Sequence, residues 1–215
     1  MRELLQELYD KLWQAFGPQG WWPGDSPLEV ALGAILTQNT NWRNVARVLK
    51  ELKEEGALSA RILREMPTAE LARRLRPVGY YQVKAERVKN FLTFFAQRYQ
   101  DSMAAMARQD LEVLRPELLS VKGIGPETAD SILLYALHQP SFVVDAYTFR
   151  ILNRHQLVPE AMSYEELRQL FMEHLPAEVP LYQEFHALLV RLGKEFCRPR
   201  PRCDRCPLLH WPEPR

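Results

Sequence analysis

The chain is predicted to be all-α. Apolar residues recur at helical spacing along nearly its whole length, strand-like alternation is almost absent, and the breaks between periodic stretches carry helix-start and helix-stop residues. At 215 residues it is long enough to bury a sizeable core in one or two domains. A formal net charge of +1 leaves no global basic field, so a polyanionic partner would have to be met by local charge. No apolar run reaches membrane-spanning length. The opening Met-Arg-Glu-Leu-Leu-Gln-Glu-Leu reads as an amphipathic helix rather than a signal peptide, which points to the cytoplasm and to no membrane partner.

Taken in order, a first helix is expected over residues 2–16, stopped by Gly17-Pro18. Ser26-Pro27-Leu28-Glu29 has the form of a capping box with proline at the first helical position, and Leu28, Ala31, Leu32, Ile35 and Leu36 supply the apolar face that follows. Further helices are expected over 43–54, 59–65, 68–75, 81–99, 103–107 and 110–120. Pro126 opens the next, over 126–137, on Ala129, Ile132, Leu133 and Ala136. Asp145 follows the apolar run Phe142-Val143-Val144 and precedes Tyr147, Ile151 and Leu152, which makes it a natural N-cap for a helix over 145–154. Two more helices, over 163–174 and 179–193, complete the chain before its C-terminal loop. There is no internal repeat and no low-complexity segment.

In Lys122-Gly123-Ile124-Gly125 two glycines permit a tight turn of bare backbone ahead of a helix N-terminus. Such an end offers unpaired N–H groups and partial positive charge to a phosphate oxygen, a contact that positions a nucleic acid without reading its sequence. Five basic residues, Lys194, Arg198, Arg200, Arg202 and Arg205, gather near the C-terminus, either as a local patch for the same partner or as a solvated tail.

The stretch from Leu118-Leu119-Ser120-Val121-Lys122-Gly123-Ile124-Gly125-Pro126-Glu127-Thr128-Ala129-Asp130 to Val144-Asp145 resembles the helix-hairpin-helix of the endonuclease III superfamily of base-excision DNA glycosylases. The resemblance implies two helical lobes with DNA in a cleft between them: residues 28–137 carrying the hairpin, and residues 1–27 with 138–215 forming the second lobe. It makes Asp145 the catalytic acid and Lys122, Gly123 and Gly125 contacts to DNA. Bifunctional members of the superfamily carry a nucleophilic lysine two residues beyond the second glycine, and this chain has Glu127 there. A carboxylate cannot form the Schiff base that strand cleavage needs, so the expected enzyme removes a base by hydrolysis and stops. Its expected partner is double-stranded DNA with damaged bases, engaged as a monomer.

Three further groups bear on the site. Trp21-Trp22-Pro23-Gly24, Trp42 and Arg76-Pro77-Val78-Gly79-Tyr80-Tyr81 are similar to segments of the monofunctional 3-methyladenine DNA glycosylases, where the matching aromatic residues sandwich a flipped base. Read singly, each Trp is first a core residue, and it is three of them in two adjoining connections that point to a pocket. A purine alkylated at N3 carries positive charge, is attracted to an indole face and leaves its sugar readily. Gln38, in Gln38-Asn39-Thr40, either fills the gap left by an extruded nucleotide, as the resemblance implies, or caps its helix. Lys194, in Gly193-Lys194, matches a lysine that in this branch lies near the pocket and can be carbamylated; the alternative is an exposed lysine suited to a helix C-terminus.

All three cysteines lie within ten positions, as Cys197-x5-Cys203-x2-Cys206, which argues against a disulfide framework and for a metal or cluster. The superfamily's iron–sulfur loop has four cysteines; here the first interval is one residue shorter and the fourth position is Pro212. The resemblance implies a [4Fe-4S] cluster on Cys197, Cys203 and Cys206, with His210 or an outside group fourth. Zinc, or a metal-free loop whose Arg200 and Arg202 still meet phosphate, stay open. The function expected is a 3-methyladenine-type DNA glycosylase. An endonuclease III-like enzyme with lyase activity and a catalytically silent DNA-binding module are its rivals.

Overall fold

The structure, a computed structural model, describes residues 1–21 and 24–212. Its regular elements are α1 (Arg2–Phe16), α2 (Pro27–Leu36), α3 (Trp42–Glu54), α4 (Ala60–Glu65), α5 (Thr68–Arg74), α6 (Tyr81–Tyr99), α7 (Met103–Ala107), α8 (Leu111–Ser120), α9 (Pro126–Ser131), α10 (Ala146–Arg154), α11 (Tyr164–His174) and α12 (Val179–Glu195). Short 3-10 turns cover Arg76–Val78 and Cys203–Arg205. There is no strand among the described residues, and none of their helices is long and apolar enough to cross a membrane.

The chain divides into two compact units, Pro23–Gln139 and Met1–Trp22 with Pro140–Arg215. In the first, α2 is the central helix, with every residue from Val30 to Leu36 buried. A helix apolar on all sides has to be surrounded, and α3, α6, α9 and the segment after α9 do so. Its N-terminus is capped by Ser26, whose Oγ accepts from Glu29 N at 3.2 Å. The reciprocal bond slips by one residue, since the Glu29 carboxylate accepts from Asp25 N rather than Ser26 N. A complete capping box stands instead at Ser163 and Glu166, opening α11.

The helix expected over 126–137 is α-helical only to Ser131 and continues as a π turn, Ile132–Ala136. Leu137 N–H reaches back five residues to the Ile132 carbonyl, the wider spacing of a π turn. All five residues of the turn are buried.

In the second unit α12 is buried on most of its circumference, through Tyr182, Phe185, His186, Leu188, Leu189 and Leu192 among others. α1 packs on it through Leu5, Leu8 and Leu12. Phe142 and Phe171 stack with ring centroids 4.0 Å apart, and Tyr182 and Phe185 meet Phe142 edge-on. Each such pair contributes about 0.5–1.5 kcal/mol beyond the area it buries.

α10 crosses α12 at Gly193, where a Cβ would stand 2.4 Å from Tyr147 Cδ1 and 2.7 Å from its Cβ. The glycine is therefore a packing requirement. Gly193→Ala should lower stability by about 1–3 kcal/mol, the usual cost of overpacking, read as a shifted denaturant midpoint with an unchanged slope. An unmoved midpoint would mean that the Tyr147 ring swings aside freely.

Candidate functional site

In the unit Pro23–Gln139, α8 and α9 are joined by the hairpin Val121–Gly125. Ile124 N donates to Val121 O at 3.0 Å, which closes the turn and buries both side chains. Gly123 has φ +96°, and a Cβ there would lie 2.4 Å from Arg87 Cγ, so conformation and space both exclude a side chain. Gly125 is the N-cap of α9, with Pro126 at its first position. Behind the turn Arg115 on α8 grips Asp130 on α9 with two bonds, Nε to Oδ1 at 2.8 Å and Nη2 to Oδ2 at 3.0 Å. Asp130 is fully buried. Breaking so buried a bidentate pair from one side costs about 3–5 kcal/mol, so the two helices hold the turn at a fixed opening.

Gln38 is part of this assembly. Its Nε2 donates to Thr128 Oγ1 at 2.8 Å and to Gly123 O at 3.3 Å, and its Oε1 accepts from Arg87. It does not cap α2. Thr37 does, through N–H and hydroxyl bonds to Gly33 O. Asn90 Nδ2 donates to Lys122 O at 3.0 Å, so two of the hairpin's carbonyls are engaged by side chains. The amides of Gly123 and Gly125 meet no acceptor among the described residues, and Lys122, Gly123 and Gly125 are exposed. Glu127, in the first turn of α9, is exposed as well. Trp42 is half-buried at the start of α3, and Tyr80 is held left-handed at φ 45° with three-quarters of its surface exposed. The nearby Lys84 is buried and donates to Val78 O at 2.8 Å; burial pulls its ammonium down to about 8, with the charge of Arg87 adding to the fall.

In the other unit Asp145 caps α10. One carboxylate oxygen, Oδ1, accepts from Thr148 N at 2.7 Å and from Thr148 Oγ1 at 2.9 Å. The other, Oδ2, faces His186 Nε2 on α12 at 3.7 Å. Burial alone would raise this carboxyl's pKa. His186 and the two Thr148 donors outweigh that and hold it below the ordinary value, so the group is a carboxylate at neutral pH. Only a tenth of its side chain is exposed. A buried, ionised carboxylate with one oxygen committed to the backbone and one turned to a histidine suits the stabilisation of positive charge or the acceptance of a proton.

Trp21 stacks on the same His186, with centroids 5.6 Å apart and planes 26° apart. The Lys194 ammonium stands 5.5 Å from the Trp21 ring centre. The segment leading to Trp21 is laid along α12 by contacts from Glu184 and Arg191. Gln19 N donates to Glu184 Oε1 at 2.6 Å, Arg191 Nη1 donates to Phe16 O at 3.1 Å, and the Arg191 guanidinium lies over the Phe16 ring. Gln19, Trp21, Ala187, Val190, Arg191 and Lys194 line a cavity of about 190 Å³ with Glu195. Trp21 and Lys194 are thus brought together, while Trp42 belongs to the other unit and Trp22 and Pro23 lie outside the described residues. Sequence periodicity gives no sign of His186, which sits in Phe185-His186-Ala187-Leu188-Leu189 and reads there as one more core position.

The C-terminal loop is tied to α10. Arg150 Nε donates to Cys197 O at 2.7 Å; Arg154 donates to Arg198 O, Pro199 O and the Cys197 Sγ; His155 Nδ1 donates to Trp211 O at 2.5 Å. Cys197 is buried, Cys206 partly so and Cys203 exposed. Burial raises the Cys206 thiol's pKa, and the sulfurs of Cys197 and Cys203 raise it further. His210 is exposed at φ 66°, and no group of three or more His, Cys, Asp or Glu among the described residues stands ready to hold an ion, so loading would require the thiols to close up. Arg200 and Arg202 are exposed, and Arg202 lines an open depression of about 580 Å³ with Arg198 and Arg205.

A helix-hairpin-helix with tethered carbonyls in one unit, and a capped carboxylate beside a tryptophan in the other, define the architecture of a base-excision protein. Residues 32–177 match the HhH-GPD superfamily of base excision DNA repair proteins, and the chain belongs to that superfamily. A candidate DNA repair glycosylase of Methanocaldococcus jannaschii is 43% identical over 211 residues, which are 97% of this chain and 96% of that one. Among solved structures, a non-covalent endonuclease III–DNA complex shares the fold at a TM-score of 0.84, covering 98% of this chain and 94% of that one at 22% identity. The 3-methyladenine DNA glycosylase of H. pylori, bound to 1,N6-ethenoadenine, is 27% identical at a TM-score of 0.76, covering 90% of this chain and 97% of that one.

Proposed function

We propose that the chain is a DNA glycosylase that flips a damaged base out of duplex DNA and removes it by hydrolysis, without strand cleavage. The observation that carries the reading is Asp145, ionised, largely buried and aimed by Thr148 and His186. In the reaction the C1′–N bond breaks with its electron pair passing to the base, which neutralises the charge of an alkylated purine and lets it leave without a proton. The oxygen of a water joins C1′ and gives its proton to the Asp145 carboxylate. That carboxylate also offsets the positive charge growing on the sugar. The hairpin amides of Gly123 and Gly125, with Lys122, take a phosphate, and Gln38 stands beside them to enter the vacated stack. Arg200 and Arg202 add phosphate contacts.

For the base itself the proposal is an alkylated purine stacked on Trp21, supported by the likeness to the H. pylori enzyme. One observation favours a second reading. Lys194 already sets a cation over Trp21, which suits a neutral lesion with a carbonyl oxygen to accept from it; a cationic purine needs Lys194 neutralised, as by carbamylation. The test is a panel of duplexes, each with one alkylated, deaminated or oxidised base, scored for base release with and without alkaline cleavage. Release of the alkylated purine with no neutral-pH nick is expected, and borohydride should trap almost no enzyme–DNA adduct because Glu127 stands where the amine would be. Efficient trapping would overturn the hydrolytic assignment.

Asp145→Asn should cut single-turnover excision at least about a hundredfold, within the range of general acid–base contributions. Asparagine keeps the Oδ1 bonds to Thr148 and caps nearly as well, so stability should fall by at most about 1 kcal/mol and affinity for abasic DNA should hold. A loss under tenfold with affinity intact would reduce Asp145 to a cap.

For the cofactor the proposal is a [4Fe-4S] cluster on Cys197, Cys203 and Cys206, with His210 or a non-protein ligand fourth, serving to close the loop on α10. Anaerobically purified protein should then carry iron and absorb in the visible, and Cys203→Ser should lose both. Stoichiometric zinc, or neither metal, would dismiss the cluster.

A further inference from the structure

His186 touches both halves of the proposed site in its unit. Its Nε2 lies 3.7 Å from Asp145 Oδ2, and its ring stacks on Trp21. It is almost fully buried, at 4% exposure. Imidazole is a costly choice for such a position, since a leucine would fill the space with no polar atom to satisfy. The neighbouring residues of α12 are indeed apolar: Phe185, Ala187, Leu188 and Leu189. The geometry accounts for the exception. With Oδ1 held by two Thr148 donors, Oδ2 needs a partner that reaches it from α12 without filling the space where water and sugar must come. At 3.7 Å the Nε2 of a flat ring faces Oδ2 without closing a hydrogen bond, and the ring offers its face to an indole.

We propose that His186 is a positioning residue that couples the base-binding wall to the carboxylate, aiming Asp145 through Nε2 and seating Trp21 through its ring. The proposal rests on the reading of Asp145 as the catalytic carboxylate. It follows the general arrangement in which a third group orients the group that handles the proton. The other charged groups along this part of α12 are Arg191, which donates to Phe16 O and lies over the Phe16 ring, Lys194, over Trp21, and Glu184, whose carboxylate accepts from Gln19 N–H. Among the described residues none of the three forms an ion pair with Asp145.

Two substitutions separate the functions of the ring. His186→Phe keeps a stacking face and loses Nε2; His186→Gln keeps a donor and loses the face. For His186→Phe the single-turnover rate should fall at least about tenfold. The acid limb of its pH–rate profile should move up towards the ordinary carboxylate value, with affinity for lesion DNA within about threefold of wild type. Asp145 titrates below its ordinary value, so its catalytic form persists to lower pH in wild type and is lost sooner, as pH falls, once His186 is gone. His186→Gln should keep the acid limb and most of the rate while weakening lesion affinity. The opposite pattern, or two variants losing rate and affinity alike with an unmoved acid limb, would leave His186 a core residue and overturn the proposal.

If either variant fails to fold, the intact protein still decides the matter. The pH dependence of Trp21 fluorescence, taken as the difference between wild type and Trp21→Phe, should follow the ionisation of Asp145 and change in Asp145→Asn. A Trp21 signal blind to both refutes the coupling. The hydrolytic reading fails separately: Asp145→Asn with full excision sinks that reading, whatever Trp21 reports.

Discussion

The close crossing of α10 on α12 at Gly193 is the constraint on which the unit Met1–Trp22 with Pro140–Arg215 depends. Tyr147 lies so near Gly193 that a single added methyl would collide with it. From that approach the rest follows. Asp145, two residues before Tyr147, is brought within 3.7 Å of His186, seven residues before Gly193 and therefore two turns up the same helix. Arg150 and Arg154, further along α10, are carried to the carbonyls just past the end of α12. One glycine thus sets both the carboxylate's surroundings and the anchoring of the C-terminal loop.

That anchoring bears on the missing fourth cysteine. A loop closed by a metal alone would need a fourth ligand, and position 212 is proline. Here the guanidinium groups of Arg150 and Arg154 satisfy Gly193, Cys197, Arg198 and Pro199, and His155 holds Trp211, whose side chain is buried. Hydrogen bonds from charged donors are worth about 1.5–3 kcal/mol each. Several such bonds offset part of the conformational entropy of ordering the loop.

Much of this was legible in the sequence, for identifiable reasons. The helices announce themselves through period and punctuation: Gly17 stops α1, Ser26-Pro27 starts α2, and Asp145 caps α10, each by a mechanism local to a few residues. The hairpin was legible because φ +96° at Gly123 admits little but glycine. What sequence could not show is set by packing between distant segments. The slip of Glu29 from Ser26 to Asp25 and the π turn at Ile132–Ala136 leave no pattern of their own. The Arg115–Asp130 pair spans two helices whose separation no periodicity encodes, and Gln38 joins the hairpin across 85 residues of chain. His186 was hidden for the converse reason. Its position on the buried face of an apolar helix is what makes it useful to Asp145 and what makes it look like filler.

In the proposed function, the Lys194 charge over Trp21 bears on which bases the site would take. Stacking a base on an aromatic wall is worth about 1–3 kcal/mol and hardly depends on which base is stacked. Two unit charges about 5 Å apart repel by about 1 kcal/mol in water and about 3 kcal/mol at the effective dielectric of a protein surface. A base lying on Trp21 would itself displace the water that screens Lys194, so the larger figure is the relevant one once the base is seated. A cationic purine then forfeits most of what stacking provides, while a neutral base with a carbonyl oxygen gains a charge-assisted hydrogen bond of its own. Neutralising Lys194 reverses the order, restoring the indole face to the cation and removing the donor from the carbonyl. In the proposed function the Lys194 ammonium, 5.5 Å from the ring centre, is thus weighed against the aromatic wall in the choice of lesion.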